Sequence, residues 1–478
     1  MATYSLGAIA EAVGGELSFG SRPPESGAGH EVAGYSIDSR TVRPGDLFFA
    51  IVGPRHDGHR FVGEAVARGA RAAVVARGAG AFAETPALIR VSDTTRALQD
   101  LGAHLRRRRP LRVVGITGSA GKTTAKELAA AVMGGRYRTH RSEGNLNNAY
   151  GLPLTLLRMR DDAEAAVLEM GMSHEGEIAR LVEIADPDAG VLLNVLRVHL
   201  EHFGSLERIA RAKGELFRSM RRDAVAVFNA DDPPAARLGR AFPGARLPFG
   251  IASRAAEVSA EEIALEGIDS VRFVLRRGAE RVPVRLGMAG RHSVYNALAA
   301  AAIGFWLGVD ARLIARRLAS VRPPPMRGVL HRLPNGVELL DESYNSNPSA
   351  MERIIDLLRG LRPRGRRVLV SGDMLELGPY GRTAHARLGE SVAAAGIELF
   401  VAVGELSARA AAAARAAGGA CEVHHFGDSD AAASFVAAAL RDGDLVLVKG
   451  SRGVAMERVV LAGRAGAGPP AAGAGGEH

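Results

Sequence analysis

A glycine-rich segment between an apolar run and a helix-forming run has the composition of a phosphate-binding loop. It reads VVGITGSAGKTTAKEL at positions 113–128. The usual loop, G-x-x-x-x-G-K-[ST], requires a glycine where this chain has Ile116, so only the compact pattern G-x-x-G-K-T-T remains. Backbone N–H groups at a helix N-terminus bind anions, lysine adds a full charge, and a threonine hydroxyl can ligate magnesium. We therefore predict that a nucleotide phosphate binds at Gly118, Ser119, Ala120, Gly121, Lys122, Thr123 and Thr124.

Two titratable residues follow the next apolar segments and are candidates for magnesium binding. Glu169 lies at the end of AAVLE, and His199 lies just beyond DAGVLLNV. Ligands bind at the carboxyl ends of the strands in parallel sheets, and P-loop NTPases hold magnesium through an aspartate at such a strand end. A single histidine in a loop is more often simply exposed to solvent. The presence of both residues at neighbouring strand ends favours a functional role.

Other polar residues could act in the same site or could form ordinary surface and turns. Lys213 lies in the middle of the helical segment SLERIARAKGELFRSM, where a solvated surface lysine is the default interpretation. His292 and Asn296 are four residues apart at a helix start and so share one face. Asn, Asp and Ser also favour turns, which is the alternative for most candidates in the last third of the chain. These candidates are Arg327, Asp341, Tyr344, Asn345, Asn347, Lys449, Ser451 and Arg452.

The order of the segments predicts an α/β protein with three domains. Apolar strand segments alternate with helical segments, which indicates mostly parallel sheets covered by helices. We place a small α/β domain at 1–109, a central P-loop domain at 110–322 and a Rossmann-like domain at 323–462. The prolines of RPPPMRG separate the last two domains. The Gly/Ala/Pro-rich segment 463–478 is predicted to be a disordered tail.

The composition favours a globular cytoplasmic protein. Of the 478 residues, 47% are hydrophobic and 24% are charged, which excludes a largely disordered chain. The single cysteine excludes an internal disulfide and argues against a cysteine zinc site. The sequence has no apolar run long enough to span a membrane, and its N-terminus lacks the pattern of a signal peptide.

The net charge of +9 allows two interpretations of the partners. A basic protein can bind nucleic acid, but here the arginines are scattered and few aromatic residues are available to stack on bases. Small anionic substrates explain a basic surface equally well. The densest run, RRRRP at 106–110, is more simply a solvated hinge between domains than a nucleic-acid patch.

Taken in order, these motifs resemble those of the Mur ligase family of ATP-dependent enzymes that form amide bonds. The resemblance covers about positions 1–460, and members of this family have the same short G-x-x-G-K-T loop. It implies that Lys122 and Thr123 contact the γ-phosphate and magnesium, and that Glu169 and His199 also belong to the magnesium site. It further implies that Lys213 carries CO2 as a carbamate and so becomes an anionic metal ligand.

The resemblance also assigns contacts to the rest of the substrates. His292 and Asn296 correspond to the adenine-side motif H-N-x-x-N, in which Ser293 here replaces the first asparagine. Arg327 and Asp341 correspond to ribose and phosphate contacts. The uridine-nucleotide substrate is expected to contact Ser39, Arg40, Asn145, Asn147 and Asn148.

Three segments, DESYNSNP, GDMLELG and VKGSRG, resemble the third domain of the family. The family more often has Asp and Ala where this chain has Glu342 and Ser346. The resemblance implies that this domain closes on the substrates through Tyr344, Asn345, Asn347, Lys449 and Arg452.

The reaction implied by the resemblance joins D-alanyl-D-alanine to UDP-N-acetylmuramoyl-tripeptide through an acyl phosphate. ATP and Mg2+ are the expected cofactors, and ADP and phosphate the expected products. We expect a cytoplasmic monomer that neither binds nucleic acid nor inserts into a membrane.

Several alternatives remain open. A sibling ligase that adds a diamino acid would carry a D-N-P-R signature, which is absent here, and the N-terminal DSR segment argues against a folylpolyglutamate synthase. A nucleic-acid-stimulated P-loop NTPase and a nucleotide-binding scaffold without turnover fit less well with so many motifs in the same order.

Overall fold

The computed structural model confirms an α/β fold with three domains, each built around one main sheet. No helix in the described part of the chain is long and apolar enough to cross a membrane. The structure describes residues 4–20, 31–53, 56–80, 82, 84–198 and 200–466.

The first domain is a small α/β unit. Its elements are β1 (Tyr4–Ser5), α1 (Leu6–Ala12), β2 (Glu16–Phe19), β3 (Glu31–Val32), β4 (Gly34–Ser36), β5 (Asp46–Phe49), α2 (Val62–Ala67), β6 (Ala72–Ala76), β7 (Ala87–Val91) and α3 (Thr94–Arg107). The main sheet has the order β2-β7-β6-β5-β4, and only β2 is antiparallel to its neighbour. β1 and β3 pair separately. Single-turn 3-10 helices occupy Ser39–Thr41 and Gly58–Phe61.

The second domain carries the predicted phosphate loop between its first strand and first helix. Its elements are β8 (Arg112–Thr117), α4 (Lys122–Met133), β9 (Thr139–Arg141), α5 (Gly151–Leu157), β10 (Ala165–Glu169), α6 (Glu177–Ala185), β11 (Ala189–Leu192), α7 (Leu200–Phe203), α8 (Leu206–Ser219), β12 (Val225–Asn229), α9 (Pro233–Arg240), β13 (Ala245–Gly250), β14 (Val258–Leu265), β15 (Val271–Arg277), β16 (Glu280–Leu286), α10 (Arg291–Trp306) and α11 (Ala311–Ser320).

The nine-stranded sheet of this domain has the order β16-β15-β14-β13-β12-β11-β8-β10-β9. β8 lies among parallel neighbours, and its apolar residues alternate between two cores: Val114 and Ile116 pack in one, and Val113 in the other. A strand that is buried on both faces reads as a continuous apolar run. β14, β15 and β16 form an antiparallel extension that the sequence patterns did not indicate.

The third domain is a mostly parallel sheet with helices, as the alternation of strand and helix segments in the sequence predicted. Its elements are β17 (Val329–Arg332), β18 (Glu338–Glu342), α12 (Pro348–Gly360), β19 (Arg367–Gly372), α13 (Tyr380–Ala394), β20 (Leu399–Val403), α14 (Ser407–Ala416), β21 (Glu422–Phe426), α15 (Ser429–Ala439), β22 (Leu445–Lys449) and α16 (Glu457–Gly466), with a 3-10 helix at Arg452–Val454. The sheet order is β17-β18-β22-β19-β20-β21, in which only β17 runs antiparallel. Helix α16 includes residues 463–466, and the rest of the predicted tail lies outside the described residues.

The second and third domains are in direct contact at more than one place. Asp269, at the turn between β14 and β15, accepts a hydrogen bond from Arg332 at 2.9 Å. The neighbouring Ile268 is buried in the core of the third domain. Elsewhere, the N–H of Glu201 in α7 donates to the carbonyl oxygen of Glu376 at 3.3 Å. These contacts join the second domain to the third.

The run RRRRP at 106–110 was predicted to be a solvated hinge, but the structure buries part of it against the second domain. Arg106 is buried, and its guanidinium donates to the carbonyl oxygens of Ala185 at 2.9 Å and Asp186 at 3.0 Å. Arg109 binds the carboxylate of Asp161. Two of the four arginines therefore join α3 to the second domain, while Arg107 and Arg108 are exposed.

Candidate active site

The phosphate loop connects β8 to α4, and one glycine shapes its end. Gly121 has φ +83°, in the left-handed region that favours glycine, and a Cβ there would lie only 2.5 Å from Oδ1 of Asn296. Lys122 is the first residue of α4, and its Nζ donates to the carbonyl oxygen of Gly118 at 3.0 Å. The loop, its lysine and the start of α10 therefore converge on one point, as nucleotide binding requires.

Burial lowers the pKa of the Lys122 ammonium, the negative charge of Glu169 acts in the opposite direction, and Arg327 lowers the pKa further. Arg327 belongs to the third domain, so the third domain contributes positive charge to this site. An anionic phosphate would offset the repulsion between these two cations.

Thr123 and Glu169 form a hydrogen-bonded pair at the end of β10. The hydroxyl of Thr123 donates to Oε2 of Glu169 at 2.9 Å, and Nδ2 of Asn147 donates to Oε1 at 2.7 Å. Glu169 is only 2% exposed. A carboxylate and a hydroxyl are hard oxygen ligands of the kind that magnesium prefers, and magnesium usually takes its other ligands from phosphate and water.

The described residues contain no group of three or more His, Cys, Asp or Glu that could hold a metal ion. The two oxygen donors of Thr123 and Glu169 fit a magnesium ion that takes its remaining ligands from the nucleotide and water. His199, the other predicted magnesium residue, lies outside the described residues.

Asn194 was missed by the sequence analysis although it anchors the phosphate loop. Its Oδ1 accepts from the N–H of Ala120 at 2.9 Å and its Nδ2 donates to the carbonyl oxygen of Ala120 at 3.1 Å. Its own carbonyl oxygen accepts from the N–H of Ser119. The available signal was the asparagine that follows the apolar strand DAGVLL, which is the same signal that identified Glu169.

A second missed residue is Asp231, which lines the cleft near α10. Its carboxylate accepts from the N–H groups of Ile251 and Ser253, both at 2.6 Å, and from Ala252 at 2.9 Å. The hydroxyl of Tyr295 also donates to it, at 2.8 Å. Burial raises the pKa of Asp231, but these hydrogen bonds outweigh burial and lower it overall, so the carboxylate stays ionised.

A cleft of about 770 Å3 between the second and third domains brings together most of the predicted site residues. A cavity of this size suits a small-molecule substrate or cofactor. The predicted residues that line it are Ser119, Ala120, Gly121, Lys122, Thr123, Thr124, Asn145, Asn147, Asn148, Glu169, His292, Asn296, Arg327, Tyr344, Asn345, Asn347 and Lys449.

The third-domain wall of the cleft is held together by short-range contacts. The guanidinium of Arg327 lies 3.7 Å from the ring centroid of Tyr344. Nζ of Lys449 donates to Oε2 of Glu342 at 3.2 Å and to the carbonyl oxygen of Asn345 at 2.9 Å. Asn347 caps α12 by accepting from the N–H of Ala350. The charged residues of the wall are Arg327, Arg353 and Lys449 against the single carboxylate of Glu342, so its net charge is positive.

His292 faces that wall from the start of α10. Burial, together with the positive charges of Arg353 and Lys449, lowers its pKa to about 4, against the opposing effect of Glu342. The imidazole is therefore neutral at physiological pH. Ser293, which replaces an asparagine of the family motif, donates its hydroxyl to the carbonyl oxygen of Ala289 at 2.7 Å.

Several predicted residues do not line the cleft. Asp341 is buried beneath it, where its carboxylate accepts from the N–H and hydroxyl of Ser343. Arg452 is exposed and pairs with Glu457 at 3.0 Å. In the first domain Ser39 donates to Glu64 at 3.0 Å, and Arg40 pairs with Asp38 at 2.7 Å with its side chain 79% exposed. Gly118 does not line the cleft, and its carbonyl oxygen accepts from Nζ of Lys122.

Lys213 is buried, so the default interpretation of a solvated surface lysine is wrong. It is 2% exposed within α8, and among the described residues its ammonium has no hydrogen-bond or ion-pair partner. Burial, followed by the positive charge of Lys122, lowers its pKa well below the usual value. The amine is therefore poised to lose its proton, unlike a surface lysine.

Three domain families match the chain in succession. The Mur ligase family catalytic domain matches residues 31–131, the Mur ligase middle domain matches 116–304, and the Mur ligase glutamate ligase domain matches 326–452. The second match includes the phosphate loop, Glu169 and Lys213, and the third includes the wall that carries Arg327 and Lys449.

Similar proteins cover nearly the whole chain. The UDP-N-acetylmuramoyl-tripeptide--D-alanyl-D-alanine ligase of Escherichia coli is 36% identical over 97% of this chain and 98% of its own length, and that of Bacillus subtilis is 35% identical over 90% and 92%. The crystal structure of MurF from Acinetobacter baumannii aligns with a TM-score of 0.86 at 30% identity, over 96% of this chain and 98% of its own. MurF from Thermotoga maritima in complex with ADP aligns with a TM-score of 0.79 at 30% identity, over 91% and 97%. Because relatives at this identity span almost all of it and all three domain families match in order, the chain belongs to the Mur ligase family.

Proposed function

We propose that this chain is an ATP-dependent ligase that joins D-alanyl-D-alanine to UDP-N-acetylmuramoyl-tripeptide and releases ADP and phosphate. The observation that carries the proposal is the cleft in which Lys122, the Thr123–Glu169 pair and the cationic third-domain wall face one another. Relatives that carry the name of this ligase support the choice of substrates.

The chemistry requires activation of a carboxylate, because a free carboxylate is a poor acyl donor. Phosphoryl transfer from ATP gives an acyl phosphate, the amine of the dipeptide attacks its carbonyl carbon, and phosphate leaves. Lys122 and Arg327 supply positive charge where the transferring phosphoryl group carries negative charge. Positioning and electrostatics therefore account for catalysis, without a covalent bond to a side chain.

Magnesium, when bound, would neutralise phosphate charge during transfer. Thr123 and Glu169 are the residues that would hold it, and we assign His199 to the same site. Asn147 orients the Glu169 carboxylate through the oxygen that Thr123 does not contact.

We further propose that Lys213 is carbamylated. A neutral amine adds to the carbon of CO2 and loses a proton, so the side chain becomes an anion. The lowered pKa of Lys213 favours the neutral amine, and a carbamate would relieve the repulsion from Lys122.

The remaining assignments are also part of the proposal. Ser39 and Arg40 lie in the first domain and would contact the uridine nucleotide, Asn145 and Asn148 the sugar diphosphate, and Asn345 and Arg452 the amine substrate. Asp341 would act indirectly, through the turn at Ser343 that it fixes. We place the domain boundaries after residues 109, 322 and 462, and we expect a cytoplasmic monomer that does not bind nucleic acid.

The test is phosphate release and product mass in four mixtures. These are ATP alone, ATP with the tripeptide nucleotide, ATP with DNA, and ATP with both the tripeptide nucleotide and D-alanyl-D-alanine. Only the last should give sustained release and an amide product. Better turnover with a dipeptide nucleotide and a free diamino acid would replace the proposal with the sibling reaction, and hydrolysis driven by DNA would refute the ligase.

A further inference from the structure

Lys126 lies one turn after Lys122 on α4 and is buried, at 1% exposure, away from the phosphate loop. Its Nζ donates to the carbonyl oxygen of Ser142 at 2.6 Å and approaches that of Gly144 at 3.4 Å. A buried ammonium is retained only where its charge and its donors are satisfied. Here backbone carbonyls satisfy the donors, and Glu127 at 3.2 Å balances the charge.

The segment that Lys126 holds is the one that supports Glu169. The hydroxyl of Ser142 accepts from the N–H of Glu169 at 3.2 Å. A few residues later, Asn147 donates to Oε1 of Glu169 at 2.7 Å, and its carbonyl oxygen accepts from the N–H of Gly171 at 2.7 Å. Segment 142–147 therefore contacts the end of β10 through three hydrogen bonds.

These contacts close into a ring. The ring passes from α4 through Lys126 to segment 142–147, then through Asn147 to Glu169, and returns to α4 through the hydroxyl of Thr123. Thr123 and Lys126 are three residues apart and lie on the same helix face. Movement of segment 142–147 must consequently move Asn147 relative to the carboxylate that it orients.

We propose that Lys126 is a positioning residue that couples the loop for the sugar-nucleotide substrate to the phosphate and magnesium site. This inference rests on the proposed function, in which Asn145 and Asn148 contact the sugar diphosphate and Asn147 orients Glu169. Lys126 holds that loop in the conformation that orients Glu169, so the loop and the Glu169 carboxylate are placed together.

The test compares Lys126→Met with Glu127→Gln. The methionine variant removes the donor to the carbonyls, whereas the glutamine variant removes the carboxylate that pairs with Lys126 and with Arg141 and leaves the carbonyl contacts intact. Arg141 lies 2.7 Å from Glu127, so that carboxylate keeps a partner in the methionine variant. Affinities for ADP and for UDP-N-acetylmuramoyl-tripeptide are measured by calorimetry without magnesium, and kcat and KM are measured in the complete ligase mixture.

Lys126→Met should weaken binding of the tripeptide nucleotide about tenfold to a hundredfold, the effect of losing a charged hydrogen bond. ADP affinity should stay within about twofold of the wild type, because the phosphate loop is anchored elsewhere. The KM for the tripeptide nucleotide should rise and kcat should fall, whereas Glu127→Gln should bind both ligands like the wild type. In the double variant Lys126→Met/Asn147→Ala, the loss of binding free energy for the tripeptide nucleotide should be close to the larger of the two single losses and smaller than their sum.

Equal losses of both ligands in Lys126→Met, or no loss of either, would overturn the proposal. So would independent, additive effects of Lys126 and Asn147. If the methionine variant does not fold, Lys126→Gln replaces it, because glutamine retains an N–H donor toward Ser142. Lys126→Gln should weaken binding of the tripeptide nucleotide less than the methionine variant does and leave the affinity for ADP unchanged. Ligation by the wild type tests the proposed function separately, whereas the ratio of variant to wild-type affinity tests the role of Lys126.

Discussion

Asn194→Ala should weaken the attachment of the phosphate loop to the segment after β11 while leaving the fold intact. The substitution removes the two hydrogen bonds that Asn194 makes with the N–H and the carbonyl oxygen of Ala120. Each such bond contributes about 0.5–1.5 kcal/mol net, so the loop loses about 1–3 kcal/mol of restraint. The carbonyl oxygen of Asn194 still accepts from Ser119, and the hydroxyl of Ser119 still bonds to Leu196.

The loop must hold its N–H groups toward the transferring phosphoryl group. The loss of restraint therefore raises the free energy of the transition state. At about 1.36 kcal/mol per tenfold, kcat/KM for ATP should fall about 5- to 150-fold. The assay is phosphate release in the complete ligase mixture over a range of ATP concentrations, with the melting temperature measured in parallel.

A matched control is Asn335→Ala, which changes the same residue type in a turn between β17 and β18. There the asparagine side chain makes only a long 3.5 Å contact with the N–H of Val337. The control should keep wild-type kcat/KM. Wild-type kcat/KM in Asn194→Ala would refute the anchoring role, as would a loss fully explained by unfolding at the assay temperature.

Three further predictions test titratable groups. Lys213→Ala should abolish turnover and be partly rescued by short carboxylates such as acetate, which replace the carbamate oxygens; full activity without rescue would exclude a carbamate. Glu169→Gln should lower turnover by at least about 100-fold, yet keep a near-native melting temperature because the amide fits the same space; a matching collapse of stability would instead indicate a role in folding. The pKa of His292 falls from 6.5 to about 4 on folding. Between about pH 6.5 and pH 4, His292 is protonated in the unfolded chain but not in the folded chain. The free energy of unfolding should therefore fall as the pH drops through this range. His292→Gln should flatten this part of the melting-temperature profile, and an unchanged profile would contradict the assignment.

The sequence predicted the buried parallel strands well because strands covered on both faces are continuous apolar runs. β8, β10, β11 and β22 all have this character, and their ends located Glu169 and Lys449. The extension β14–β16 was missed because its strands alternate buried and exposed residues and carry several charges. Its antiparallel pairing depends on contacts far apart in sequence, which a local pattern does not contain.

The errors at the level of single residues have one physical cause. Arg106 and Lys213 were interpreted as solvated because residue type alone favours exposure for charged side chains. Their burial depends on which helices pack over them, and that is decided by tertiary structure. No sequence pattern marked Lys126 as a site residue, because its partners are the backbone carbonyls of Ser142 and Gly144 and any residue type has a backbone carbonyl.

The second domain contains three buried or half-buried lysines, and they differ in the groups that balance their charge. Lys126 has carbonyl acceptors and the carboxylate of Glu127, so it is satisfied by the protein alone. Lys122 has one carbonyl and the field of Glu169, and it also faces Arg327, so an anionic phosphate improves its environment. Lys213 has no partner among the described residues. Since an uncompensated buried charge is strongly unfavourable, the degree of compensation ranks the roles. Lys126 should hold structure, Lys122 should bind a ligand, and Lys213 should be the residue whose charge is changed by chemistry.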